Sequence, residues 1–277
     1  MAHQPQPVAL ITGASSGIGK ATARLLATNG FRVFGTSRTP KAGSQQPYTL
    51  LPLDVRSDAS VQVAVQNVIE QAGRIDLLVN NAGHAQAGAI EETSLSEAQA
   101  QFDTNVFGVL RVTHAVLPIM RRQRSGRIIN VSSLLGHVAP PYVGVYASSK
   151  FALEGLSEAL RGELRPFNIH VSLVEPGWVK TNMVGQRPAH PLADYEARRQ
   201  IGLAFVRQGV EQGLDPSIVA QTVLHIATVA RPRLRYLIGR ESHLLITLKR
   251  LLPEPAFEQV RYPVFRAEAP DLLQSQT

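Results

Sequence analysis

"PVALITGASSGIG", residues 7–19, is the stretch whose reading decides the fold. An apolar run of strand length ends in a turn carrying Gly13, Gly17 and Gly19, and a helical period begins inside that turn. Glycines let a backbone turn tightly and approach a pyrophosphate, while the first turn of a helix presents unpaired N–H groups and a partial positive charge. A strand feeding such a turn reads as the first strand–helix junction of a dinucleotide-binding sheet. On that reading Gly13, Ser15, Ser16, Gly17, Ile18 and Gly19 line the phosphate end of a cofactor site. Glycine-rich turns also link strands to helices with no ligand at all, so the rest of the chain has to agree.

It does agree. Apolar runs alternate with helical-period segments: a helix from about Gly17 to Asn29, "FRVFGTS", "YTLLPLD", a helix to about Ala72, "IDLLVNN", and a long helix to about Arg122. "GRIINVSS", a helix carrying Tyr146, "NIHVSLVEPG", a helix from about Ser217 to Val229, and "RYLIG" complete the series. Such alternation specifies an α/β fold, a doubly wound (Rossmann-type) parallel sheet of about seven strands with helices on both faces and ligands at the carboxyl ends of the strands. Residues 1–277 read as a single domain. Glycines and prolines between Thr181 and Asp215 interrupt the rhythm, so residues 182–215 read as an insertion of short helices and loop, a substrate lid. Residues 251–277 read as a C-terminal extension.

The totals narrow the class. With 277 residues, 44% of them hydrophobic and 18% charged, the chain can bury one large core. No apolar run reaches spanning length and no basic stretch precedes an apolar one at the start, so the expectation is a soluble, cytoplasmic protein. The absence of cysteine excludes disulfides, thiolate metal sites and a cysteine nucleophile. The histidines show no ligand spacing, so no metal is expected. The net charge of +7 is concentrated between Arg231 and Arg250. Interleaved apolar residues and the lack of any nucleic-acid motif make this a solvated face, with no nucleic-acid partner and with contact to a membrane surface as the alternative.

The end of the second strand selects the cofactor. An acid there would bind the adenosine ribose and repel a 2′-phosphate. The sequence has Ser37 at that place and Arg38 after it; a guanidinium holds a phosphate through two charge-assisted bonds, with the hydroxyls of Ser15 and Ser37 as further donors. NADP(H) is therefore expected ahead of NAD(H). Asp54 and Val55, on the next strand, are expected beside the adenine. Elsewhere, "GVYASSK" sets Tyr146 and Lys150 one helical turn apart, so a phenol and an ammonium share one face. A phenol of ordinary pKa is a poor base near neutrality, and a neighbouring ammonium is expected to pull that pKa down.

"TGASSGIG", "NNAG" (Asn80 to Gly83), "FDTNVFG" with Asn105, "NVSS" with Ser133, "YASSK" and "PGWVKT" stand in the order and spacing of the short-chain dehydrogenase/reductase family. The chain resembles that family from about Val8 to Thr181, and its tail is similar to the hydroxysteroid/retinol dehydrogenase-like branch. The resemblance implies a nicotinamide cofactor and an Asn105, Ser133, Tyr146 and Lys150 active site. It implies that Tyr146 exchanges a proton with the substrate oxygen, that Ser133 polarises that oxygen, that Lys150 also binds the nicotinamide ribose, and that Asn105 holds a relay water. Asn81, Ala82 and Gly83 would support the adenosine side. Pro176, Gly177, Val179 and Thr181 would meet the nicotinamide. Candidate substrate walls, Leu134, Val138, Pro140, Tyr142, Val143, Trp178 and Met183 together with Ser133 and Tyr146, are largely apolar, which points to a hydrophobic ketone or secondary alcohol of steroid, retinoid or lipid type. The alternatives are an NAD(H)-dependent alcohol dehydrogenase and a cofactor-binding sensor without turnover. The helices around Asn105 and Tyr146 resemble those that pair subunits in the family, so a homodimer or homotetramer is expected.

Overall fold

The computed structural model describes residues 6–40, 46–183 and 185–261. Seven strands form one parallel sheet: β1 (Val8–Ile11), β2 (Arg32–Ser37), β3 (Thr49–Pro52), β4 (Leu77–Asn80), β5 (Gly126–Val131), β6 (Ile169–Pro176) and β7 (Arg235–Ile238), in the order β3-β2-β1-β4-β5-β6-β7. The order reverses at β1, whose neighbours are β2 and β4, and such a reversal opens a crevice at the carboxyl edge. Every residue of β1 and β4 is buried, because a sheet covered on both faces turns its strands into continuous apolar runs.

Strand alternation divides the core in two. Ile11, Val79, Ile129 and Val174 face helices α1 (Gly17–Thr28) and α7 (Pro216–Thr228) through Ala23, Leu26, Val219 and Val223. Leu10, Leu78, Ile128 and Val171 face the opposite layer, where α2 (Asp58–Ala72) contributes Val61 and Val68, α4 (Gly108–Gln123) contributes Val112 and Met120, and α5 (Gly144–Leu164) contributes Leu164. Local chemistry marks the helix ends. Helix α2 stops at Gly73 in the left-handed conformation (φ 72°), and α3 (Leu95–Phe102) begins with a reciprocal capping box between Ser94 and Glu97.

Two expectations are corrected. The long helix after β4 is broken: α3 and α4 are joined by a π-helical segment, Asp103–Phe107, which contains Asn105. The 182–215 segment is no string of short helices, since after the 3-10 turn Ala193–Tyr195 it forms the 17-residue α6 (Glu196–Gln212). Gly202 and Gly209 lie inside that helix, where Gly209 lets the backbone press on the Trp178 ring; a Cβ there would come within 2.5 Å of it. The segment leaves and rejoins the sheet edge at one point: Lys180 N–H donates to Leu214 O and Leu214 N–H to Trp178 O, each at 2.9 Å. The chain continues into α8 (Arg240–Leu251) and α9 (Glu254–Arg261); the rest of the expected 251–277 extension lies outside the described residues. Among the described residues no helix is long and apolar enough to cross a membrane.

Candidate active site

The turn after β1 is built for close approach. Gly13 and Gly17 adopt left-handed φ values of 68° and 51°, and a Cβ on Gly19 would sit 2.3 Å from Gly13 O. Helix α1 opens without a side-chain cap from Ser16 and without an acid in its first turn. Its orphan N–H groups and positive dipole end therefore have no competing partner on the side chains around them, which fits the pyrophosphate of a dinucleotide. The "NNAG" stretch is the brace. Asn81 Nδ2 donates to Thr12 O (2.9 Å) and Gly13 O (3.1 Å), and Thr12 Oγ1 accepts from the N–H groups of Asn81 (2.9 Å) and Ala82 (3.0 Å). Thr181 stands against Gly17, its Cγ2 lying 3.2 Å from where a Cβ would be. The two ends of the expected cofactor site thus meet.

At the end of β2, Ser37 is half-buried and Arg38 exposed, and Arg38 holds no ion pair among the described residues. Asp54 is already engaged. Arg56 donates to it through Nε (3.1 Å) and Nη2 (2.8 Å), and these bonds hold the carboxyl below its usual range. Arg56 takes up the hydrogen bonds of the Asp54 carboxyl, and Arg38 acts on that carboxylate through charge alone. Val55 is buried, its side chain packing on Gly108 and its carbonyl accepting from Arg111 Nη1 at 3.4 Å. Val179 is likewise a core side chain.

The reacting end gathers at the carboxyl edge of β5. Ser133 follows the strand and accepts the Leu135 N–H (3.1 Å) at Oγ, and its hydroxyl acts on the Tyr146 phenol, lowering its pKa. Ser132 turns to the opposite side, against Gly136 and Glu154, as pleating requires. Lys150 is 7% exposed; its Nζ donates to Val131 O (2.9 Å) and lies 5.7 Å from the centre of the Tyr146 ring. Asn105 is buried inside the π segment. Its Nδ2 donates to His84 O (3.0 Å) and Ser149 Oγ (3.1 Å), and its Oδ1 accepts the His84 N–H (3.1 Å), so it ties α5 to the loop that carries Gly83. A π turn inserts one extra residue, and such insertions re-aim a side chain that a regular helix would carry elsewhere.

The expected charge effect on the phenol is overturned. Burial pushes Tyr146 up to about 12, only partly opposed by the Ser133 hydrogen bond, and Lys150 makes no resolved contribution. Burial also brings Lys150 down to about 8, while Glu154 pushes it the other way. Removal from water outweighs attraction between the two groups, so near neutrality the phenol is fully protonated.

Of the expected substrate walls, Leu134, Pro140, Tyr142 and Trp178 are half-buried, Met183 is 40% exposed, and Val138 and Val143 are buried, 3% and 6% exposed. Trp178 is packed edge-on by Phe205 of α6, with ring centres 5.7 Å apart. The inserted segment is pinned on its far side. Glu92 Oε2 accepts the Ala89 N–H (3.0 Å) and its Oε1 the Leu192 N–H (2.9 Å), and Arg199 of α6 closes a buried ion pair with Glu92. Tyr195 OH adds a bond to Glu91 (2.6 Å) and Ala189 N–H one to Glu97 (2.9 Å).

Behind Lys150 lies a group the linear spacing conceals. His137 Nε2 is 3.1 Å from Glu175 Oε2, Arg235 Nε is 3.0 Å from Glu154 Oε2, and the ligand atoms of His137, Glu154 and Glu175 all lie within 4.8 Å of one another. Glu154 stands four residues after Lys150, a visible signal; Glu175 stands in "VEPG", read only for its proline and glycine.

Comparison with known proteins agrees with this geometry. The short chain dehydrogenase family model matches residues 7–191. The chain is 41% identical over 240 residues to a 3-ketodihydrosphingosine reductase of Bacteroides thetaiotaomicron, covering 85% of this chain and 88% of the relative. It is 38% identical over 276 residues to bovine retinol dehydrogenase 8, covering 91% and 88%. Mouse 17-beta-hydroxysteroid dehydrogenase type 1 is 39% identical over 255 residues, covering 83% and 72%. A short-chain dehydrogenase/reductase of Burkholderia phymatum solved with NAD superposes with a TM-score of 0.79 at 27% identity, covering 94% and 96%. With the glycine turn, the serine–tyrosine–lysine grouping and these likenesses together, the chain belongs to the short-chain dehydrogenase/reductase family of oxidoreductases, in its hydroxysteroid and retinol dehydrogenase-like branch.

Proposed function

We propose that the protein reduces a hydrophobic ketone to a secondary alcohol at the expense of NADPH. When bound, the nicotinamide supplies the hydride. Gly13, Gly17, Gly19 and the start of α1 hold the pyrophosphate, and Arg38 with Ser37 and Ser15 holds the 2′-phosphate. Tyr146 delivers a proton to the carbonyl oxygen as negative charge develops there, and Ser133 donates a second hydrogen bond to the same oxygen. Lys150 binds the ribose of the cofactor and keeps positive charge beneath the ring. Asn105 fixes α5 against the Gly83 loop. Residues 182–215 act as the lid, and Trp178 and Tyr142 form the apolar wall.

The observation that carries this reading is the grouping of Ser133, Tyr146 and Lys150 at one strand end: burial raises the phenol to about 12, the Ser133 hydroxyl lowers it, and Lys150 Nζ lies 5.7 Å from the ring centre. A phenol held in its acid form suits reduction better than oxidation, which needs the phenolate at the start. The names of the relatives favour long-chain lipid, retinoid and steroid carbonyls, so these head the test. The protein is mixed with NADPH, and nucleotide fluorescence and ketone-dependent loss of nicotinamide absorbance are followed on a panel of such ketones. Turnover on an apolar ketone is expected. Binding without turnover on the whole panel would leave a sensor, and no binding would overturn the reading.

Exposed Phe107 and Phe151, on the elements that carry Asn105 and Tyr146, support pairing of two copies through this face.

A further inference from the structure

A lysine is costly to keep charged where Lys150 sits. Its ammonium is buried, and among the described residues its hydrogen-bond partner is the Val131 carbonyl. A buried charge with one neutral partner loses its proton unless an opposite charge stands near. The structure supplies that charge from behind. Glu154 follows Lys150 by four residues on the same helix, on the same face and one turn deeper, and is 6% exposed. Glu175, 2% exposed at the end of β6, adds a second buried carboxylate.

Two buried carboxylates would not remain charged side by side unaided, and the surrounding elements answer for them. Arg235 of β7 sets Nε 3.0 Å from Glu154 and 3.6 Å from Glu175, and its Nη2 pairs with exposed Glu158 at 2.7 Å. His137, after β5, approaches Glu175 at 3.1 Å and Glu154 at 4.0 Å. Lys249 of α8 reaches in to the His137 carbonyl, and on the Lys150 side the titratable neighbour is Tyr146. Burial and the neighbouring Glu175 push Glu154 up, and Ser132, Arg235 and His137 oppose them, while Glu154 in turn favours the charged form of Lys150.

The carboxylates are held as well as paired. The Glu154 side chain is wedged on Gly136, where a Cβ would come within 3.0 Å of its Cγ, and Ser132 beside it is buried. Among the described residues Glu154 Oε1 and Glu175 Oε1 accept no hydrogen bond, although Arg235 Nε stands 3.6 Å from Glu175 Oε1. Arg235 already fills the place of a cation between them, which argues against a metal ion in the same position.

We propose that Glu154, seated on Glu175 and Arg235, is a positioning residue that keeps Lys150 protonated and held beneath the Tyr146 ring. The assignment rests on the reductase reading above and adds to it a source for the lysine's charge. It acts through Lys150 and touches neither substrate nor cofactor.

The test reads Lys150 itself. The free protein carries 13C at the lysine ε-carbon, the Lys150 resonance is identified by its loss in Lys150→Arg, and its chemical shift is followed against pH. Glu154→Gln keeps shape and removes charge. The titration midpoint, about 8 in the parent, should fall by about one pH unit, a tenfold loss of proton affinity. The alkaline limb of kcat/KM for ketone reduction should move down with it. Glu158→Gln, which removes only the surface partner of Arg235, should leave both in place. An unmoved midpoint in Glu154→Gln, or an equal shift in Glu158→Gln, overturns the proposal. If Glu154→Gln fails to fold, Glu175→Gln decides by the same measurement, with a smaller fall expected and an unmoved midpoint fatal. The resonance needs no turnover, so a protein that reduces nothing yet shows the shift would discard the reaction and leave the charge coupling intact.

Discussion

Arg199→Met should unlatch α6 from the body of the protein while leaving the sheet folded. Arg199 and Glu92 are each almost wholly buried, 3% and 4% exposed. Glu92 also holds the backbone N–H groups of Ala89 and Leu192. Methionine replaces the volume of the arginine stem and strands the carboxylate, and removing one partner of a buried ion pair costs about 3–5 kcal/mol. Part of that cost is avoided because two backbone bonds to Glu92 survive, so about 3 kcal/mol is the figure to test. Opening of α6 would then become roughly a hundredfold more frequent, taking about 1.4 kcal/mol per factor of ten. Hydrogen exchange followed by mass spectrometry reads this directly: amides across Glu196–Gln212 should exchange about two orders of magnitude faster, and those of Ile169–Pro176 should not change. The double replacement Glu92→Gln with Arg199→Met, which removes both charges and keeps an acceptor for the backbone N–H groups, should recover part of the protection. Unchanged exchange in α6, or equal acceleration in β6, would refute the reasoning, the first by showing that the pair bears no load and the second by showing that the segment does not open on its own.

Further outcomes follow from the site. Tyr146→Phe should abolish ketone reduction, by at least a thousandfold in kcat, while NADPH binding measured by fluorescence stays within about twofold. Arg38→Asp should weaken NADP(H) by about ten- to a hundredfold relative to NAD(H), since charge-assisted hydrogen bonds are worth roughly 1.5–3 kcal/mol; unchanged preference in a competition titration would place the phosphate elsewhere. Gly19→Ala should lose cofactor binding, and its melting temperature should fall, because the added methyl meets the Gly13 carbonyl at 2.3 Å and Asn81 Nδ2 at 2.5 Å. Below pH 9 the Tyr146 phenol should show no ultraviolet phenolate signal when compared with Tyr146→Phe, because burial places its titration near 12.

The sheet was legible because a parallel strand covered on both faces is an unbroken apolar run, and "VALI", "LLVN" and "VSLV" are such runs. The grouping of Ser133, Tyr146 and Lys150 was legible because one strand end and one helical turn bring them together. What stayed hidden depends on packing. Glycines 202 and 209 look like breaks on paper, yet Gly209 is the gap into which Trp178 fits. The π turn at Asn105 leaves no mark of its own in residue type. A neighbouring cation can be read from spacing, but the loss of water around Tyr146 cannot, and it is the larger effect. Arg235 and Glu154 are 81 positions apart, and only the packing of α5 on β6 together with the β6–β7 pairing sets one beside the other.

The paired stems of the inserted segment have a consequence for how such a protein diversifies. Residues 180 and 214 are bonded to each other, so the ends of whatever lies between them are held together independently of its own structure. Closing a longer span across fixed ends costs only about 0.6 kcal/mol for each doubling of its length. The stretch is in effect an exchangeable cassette: a different one could be spliced onto the same two anchor points, changing which molecules are admitted while the proton-handling machinery beneath keeps its shape.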